Sequence, residues 1–197
     1  MTDRRPPRTS SHTSRRTSAR RPPRPLDPAR LDALALAYVG RFATTRAKLA
    51  VYLRRKLAEK GWDAPRPPEI EPLVERLARL GYIDDAAFAL AKARSLGQRG
   101  YGERRVDLAL RQAGVDDNDG APAKAVASDG ATAAAIRYAQ RRRLGPFAPE
   151  PADRKQRDRA LSAMIRAGHN FDLARRLIDL LPDPKVDIDT LNQSFRL

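Results

Sequence analysis

From residue 27 onward the apolar side chains recur at helical spacing, and no segment alternates with period two. Leu31, Leu34, Ala35, Tyr38 and Phe42 fall on one face behind Asp27-Pro28, where the carboxylate can cap free amides and proline forfeits no hydrogen bond. Thr44 or Thr45 caps a second helix, whose stripe is Leu49, Tyr52, Leu53 and Leu57. Beyond the rigid Pro65–Pro68 link, Ile70, Leu73, Val74, Leu77 and Leu80 form a third stripe. Pro72 fits only in the first turn of that helix, which should therefore start no earlier than about Pro68. Asp84 caps a fourth helix that runs to about Gln98, Gly100-Tyr101-Gly102 breaks the pattern, and a fifth spans about Glu103 to Ala113. The segment from Asp116 to Gly130 is rich in Asp, Gly and Ala, and predicts only one short helix near Pro122–Ala127. Ala133, Ile136 and Ala139 mark a seventh helix, about Asp153 to Ala167 an eighth, and Asn170 caps a ninth with Phe171, Ala174, Ile178 and Leu181.

These helices repeat. Gly61, Gly114 and Gly168 each close a basic amphipathic helix, at intervals of 53 and 54 residues. Leu57, Leu110 and Met164 stand four positions before them. Helices commonly end on a residue of positive φ, which glycine adopts without a Cβ clash. A period of this length with matched apolar positions marks a repeat architecture. The predicted fold is all-α: three tandem three-helix, helix-turn-helix-like repeats in an elongated, curved array, each unit too small to bury its own apolar face. The boundaries read as a disordered basic Arg/Pro/Ser tail over 1–26, repeats over 27–83, 84–127 and 128–182, and a frayed C-terminal tail over 183–197.

Charge narrows the partner. Among 197 residues, 39 Lys and Arg against 24 Asp and Glu leave a net charge of +15. Residues 1–25 hold eight arginines against one acid, so +7 resides in the tail and +8 in the remainder. Such a balance calls for an acidic partner: nucleic acid, an anionic membrane surface or an acidic protein. Zero cysteines exclude disulfides and thiolate metal sites. No apolar run approaches the length of a membrane span, and the N-terminus lacks the apolar core of a secretory signal, so a cytoplasmic location is expected.

No catalytic constellation emerges, and neither a cofactor nor a metal is expected. His169 reads as a junction residue rather than a general base. The glycines near residue 100 do not lead into Gly-Lys-Ser/Thr, so they form no phosphate loop. Asp84-Asp85 reads as an N-cap followed by a first-turn acid, and Asp116–Asp119 as a solvated loop. The basic residues carry the signal. Lys48, Arg54 and Arg55 are expected outward on one helix, with Arg104 and Arg111 outward on its counterpart in the next repeat. Arg141 and Arg142 are expected to share a face with Tyr138, on which a base could stack. These eight residues are the candidate DNA-binding set.

Several motifs stand in a distinctive order: Lys60-Gly61; Leu80 to Asp85 with Phe88; Arg99 to Gly102; Arg141 to Phe147; and Arg166 to Arg176. In this order and spacing they resemble those of the RecX family of bacterial recombination regulators, which would make the eight basic and aromatic candidates filament-binding as well. The resemblance covers about residues 28–181. It implies three tandem three-helix repeats, and a protein that binds the RecA–single-stranded-DNA filament in its groove. Such a protein restrains strand exchange, ATP hydrolysis and co-protease activity, and binds single- and double-stranded DNA itself. A monomer that avoids membranes is expected. The competing expectation is an independent helix-turn-helix transcription regulator, which would need base-reading polar side chains that these helices offer sparsely.

Overall fold

The computed structural model describes residues 24–195; the sequence-predicted tail lies outside that range up to residue 23. Ten α-helices are present among the described residues: α1 (Pro28–Val39), α2 (Arg46–Lys60), α3 (Ile70–Arg79), α4 (Asp85–Gln98), α5 (Glu103–Ala113), α6 (Asp117–Asp129), α7 (Ala131–Arg142), α8 (Arg154–Arg166), α9 (Phe171–Ile178) and α10 (Ile188–Ser194). A 3-10 turn spans Gly145–Phe147. Among the described residues there is no sheet, only one isolated backbone bridge, Leu26 to Trp62. The fold is all-α, with α1–α3, α4–α6 and α7–α9 forming three tandem triplets.

Capping follows the sequence closely. Asp27 accepts from the Arg30 amide, Thr45 from Lys48, Asp84 from Ala87 and Asn170 from Asp172 and Leu173. Asp153 and Gln156 close a reciprocal capping box at the start of α8. Gly114 and Gly168 have positive φ, and the following amides reach back to the carbonyls of Leu110 and Met164. The end of α2 differs. Gly61 also has positive φ, 80°, but its ψ of 173° carries the chain away from the helix, so Trp62 lies beside Leu26.

Four features depart from the sequence reading. Leu26, assigned to the tail, is buried, and its backbone bonds Gly61 and Asp63 at 3.0 and 2.8 Å. The third helix of the second repeat is a full 13-residue α6 with Pro122 inside it. Its small residues let it lie close along the alanine-rich α4, with Gly120 and Ala123 buried; that contact is the most extensive between any two helices described. Past Pro182 the chain does not fray before residue 195. Asp187 caps α10, and Leu191 packs into the core of the third repeat with Val186 and Phe195 beside it.

The fourth correction concerns the core. Each repeat holds its own apolar cluster: Leu31, Leu49, Leu53, Leu73 and Leu77 in the first, Ala89, Leu96, Val106 and Leu110 in the second, Ile136, Met164, Ala174 and Leu177 in the third. The units therefore bury their own faces, and the joints between them are built from small and polar groups. At the first joint Asp85, nearly inaccessible, accepts from the Arg46 backbone amide at 3.0 Å and its Nε at 3.3 Å, and the same guanidinium pairs with Asp119. Thr45 donates its hydroxyl to the Ala113 carbonyl at 2.5 Å. At the second joint the Gly102 amide donates to Ala167 O at 3.0 Å, and the Arg104 amide to Gly168 O at 3.2 Å. The C-terminal end of α5 thus meets the N-terminal start of α2, and that of α8 the start of α5, bringing opposite partial charges of the helix termini together.

Candidate nucleic-acid interface

The eight sequence-predicted residues do not form one face. Arg54 turns toward α3 and pairs with Glu71, Arg55 pairs with Glu59 on its own helix at 3.6 Å, and Arg111 pairs with Asp107. Lys48 lies over the Phe88 ring at 4.5 Å, at the joint between repeats one and two. Burial first, and then the neighbouring Lys92, hold its ammonium below the usual lysine range. Arg104 is exposed, its backbone engaged at the second joint. Arg141 donates to the Arg99 carbonyl at 2.6 Å, and Arg142 lies 5.8 Å from the Tyr138 ring centre.

Around that second joint the structure assembles more than the pattern suggested. Tyr101, Arg105, Tyr138, Arg142 and Arg166 line a shallow groove of about 310 Å³, into which no carboxylate projects. Arg99 and Arg105 flank the Tyr101 ring at 5.6 and 5.8 Å. Among the described residues none of Arg99, Arg105, Arg141, Arg142 and Arg166 has a carboxylate within 4.0 Å. Unpaired guanidiniums around aromatic rings are what a single strand needs: charge for phosphates and flat faces for bases. Tyr101, Arg99, Arg105 and Arg166 were missed by sequence reasoning. The four-residue step from Tyr101 to Arg105 across a helix start was the available signal. Arg166 comes from a different repeat, and only its place at the head of the Arg166–Arg176 motif marked it.

Local structure explains why these side chains sit there. Gly100, with φ 76°, lets the chain turn between α4 and α5, and Gly102 lets it pass close to Gly168, so Tyr101 lies beside the joint. Arg137 and Arg141, one turn apart on α7, donate to the Gly97 and Arg99 carbonyls at 3.3 and 2.6 Å, at the negative end of the α4 dipole. Beneath the groove His169 is buried, its Nε2 3.0 Å from the Gly100 carbonyl and its ring edge-on to Tyr138 with centres 5.4 Å apart. A carbonyl only accepts, so Nε2 carries the proton, and Nδ1 is buried without a partner. Burial, only partly opposed by the Gly100 bond, keeps the imidazole below the usual histidine range and therefore neutral. The ring is a bolt between repeats; it holds Tyr138 from below. Tyr138 is half-buried and its hydroxyl donates to Ala163 O at 3.3 Å. Tyr138 is thus fixed by its hydroxyl bond and by the edge contact with His169, and it lines the groove with Arg142 beside its ring.

Residues 84–121 match the family model of the second three-helix domain of RecX. The chain is 35% identical over 174 residues to the regulatory protein RecX of Myxococcus xanthus, an alignment covering 81% of this chain and 90% of that protein. The regulatory protein RecX of Halorhodospira halophila is 36% identical over 143 residues, covering 72% and 81%. In three dimensions the chain is similar to the crystal structure of RecX from Lactobacillus salivarius. The TM-score is 0.59 at 18% identity, over 85% of this chain and 96% of that one. A second RecX crystal structure gives 0.57 at 22% identity, over 77% and 73%. At those identities the structural likeness speaks to the fold alone.

Proposed function

The chain belongs to the RecX family, and from that premise we propose that it regulates the RecA recombinase by binding the RecA–single-stranded-DNA filament in its groove. Binding restrains ATP hydrolysis, strand exchange and co-protease activity during DNA repair and the SOS response. The protein acts in the cytoplasm as a monomer, by occupancy and without bond chemistry or a cofactor. The observation that carries this reading is the patch of unpaired arginines around Tyr101 and Tyr138 at the second joint. An array of stiff helical units suits a helical polyanion, because successive units can follow a groove. Arg104 adds an exposed charge beside the patch, whereas Arg54 is paired with Glu71 across helices, and Arg55 and Arg111 stand at the first joint, away from the patch.

The transcription-regulator alternative is weakened by the same joints. A recognition helix reads bases with its N-terminal residues. The start of α5 is covered by the end of α8, and the start of α2 by the end of α5. The test is ATP hydrolysis by RecA on single-stranded DNA as the chain is titrated in. Inhibition well below one chain per recombinase protomer supports the reading. No inhibition, together with a sequence-specific footprint on duplex DNA lacking recombinase, refutes it.

A further inference from the structure

The first joint carries a groove of different chemistry from the second. It encloses about 680 Å³ between α1, α2 and the end of α5. Phe42 and Val51 stand in it 56% and 63% exposed, far more than large apolar side chains need to be in a folded helical unit. Tyr38 and Tyr52 stack on each other beside them with ring centres 4.2 Å apart, and Phe42 tilts against Tyr38 at 5.2 Å. Around this apolar floor stand Lys48, Arg55 and Arg111. The carboxylates nearest the two arginines, Glu59 and Asp107, belong to their own helices and do not line the groove. Lys48 has no carboxylate within 4.0 Å among the described residues, although Lys92 repels it. No carboxylate lines this groove at all.

We propose that this groove is a protein-docking site for a partner segment that presents a large apolar side chain flanked by carboxylates. The cavity takes one or two large side chains, and its rim supplies cations at the positions where the flanking acids would come to rest. Nucleic acid is the poorer occupant. Bases stack on free ring faces, and the Tyr38–Tyr52 pair has spent one face of each ring on the other. The exposed floor that remains includes Val51, an aliphatic side chain with nothing to offer a base or a phosphate. The two joints thus divide the work: the second holds the strand and the first holds the protein that surrounds it. This inference rests on the filament reading above and assigns its protein contact.

The experiment compares the full chain with Val51→Glu, which places a carboxylate on the groove floor. Leu181→Glu, an equal change at a side chain 75% exposed and outside the groove, is the control. Each is titrated into RecA–single-stranded-DNA filaments hydrolysing ATP, and separately into labelled oligo(dT) without recombinase. Both sites are solvent-facing, so circular dichroism melts should agree within about 2–4 °C. Val51→Glu is expected to raise the half-inhibitory concentration by about tenfold or more, with oligo(dT) affinity within about twofold of the parent and Leu181→Glu unchanged. A parent chain that inhibits, with Val51→Glu inhibiting equally, overturns the docking site and leaves the filament reading standing. A parent chain without effect on the filament overturns both. Parallel loss of oligo(dT) affinity would make the groove a nucleic-acid site, and a parent dimer by light scattering that Val51→Glu dissociates would make it a self-association face. Either result refutes the proposal.

Discussion

Replacing Gly102 by alanine isolates the joint between the second and third repeats. Gly102 has φ −82° and ψ 173°, which any residue adopts, so alanine brings no dihedral strain. Its effect on the unfolded chain should stabilise by about 0.4–1 kcal/mol. The cost lies across the joint. A Cβ at this position would fall on the Gly168 carbonyl and 2.6 Å from the His169 amide nitrogen, both backbone and neither able to swing aside. Gly168 is equally constrained, since its own Cβ would come 2.8 Å from the Arg105 Cβ. Relief requires the two repeats to separate. The Gly102–Ala167 and Arg104–Gly168 hydrogen bonds then weaken, at about 1 kcal/mol each. Overpacking strain adds about 1–3 kcal/mol. The net expectation is destabilisation by about 2–4 kcal/mol. Because each repeat has its own core, the loss should fall on coupling: the urea transition monitored by circular dichroism should broaden and its m-value drop. Gly97→Ala is the companion variant, since its Cβ would meet nothing within 4 Å. It should stabilise by about 0.5–1 kcal/mol. A Gly102→Ala protein as stable as Gly97→Ala, with an unchanged m-value, would refute the close backbone approach.

Arg143 occupies the left-handed region with φ 53°, the one described residue other than glycine to do so. It takes the place that Gly100 holds at the end of α4, for the amides of Tyr101 and Leu144 make equivalent bonds back into their helices. Arg143→Gly should therefore raise stability by about 0.5–1 kcal/mol while weakening oligo(dT) binding; unchanged affinity would show that the guanidinium is not used. Removing Arg105 and Arg142 together should reduce the steepness of the log–log salt dependence of oligo(dT) binding by about 1–1.5, from roughly −4 to −5 for about six phosphates. An unchanged slope would place the strand elsewhere. His169 has a folded pKa below its ordinary 6.5, so the unfolded chain takes up the proton first as pH falls. Stability should be full above 6.5 and decline as pH drops from there toward the lower folded value. His169→Gln should lose that segment of the pH dependence, read from urea midpoints between about pH 7.5 and pH 5.5.

Much of the fold was legible because it is local. Asp27, Thr45, Asp84 and Asn170 cap helices with amides two or three residues away, so spacing alone identifies them. The apolar stripes and the closing glycines obey a helical period and a 53–54-residue repeat, both properties of the chain as written. What could not be read was anything settled by residues far apart. Arg54 and Arg105 look alike in the sequence, yet packing of α2 on α3 brings Glu71 to the first and nothing acidic to the second. Leu26 reads as tail until Trp62 lies beside it, and the alanines and glycines of α6 read as weak until α4 supplies a surface that small residues fit closely.

Sequence by itself settled that this chain is helical, repetitive and basic, because periodicity, capping and charge are carried by neighbouring residues. Only the tertiary structure decided which of its cations remain free and what stands next to them. Ion pairing and burial are set by which helix packs on which, and at the second joint that packing gathers Tyr101 and Arg105 from one repeat with Tyr138, Arg142 and Arg166 from the next.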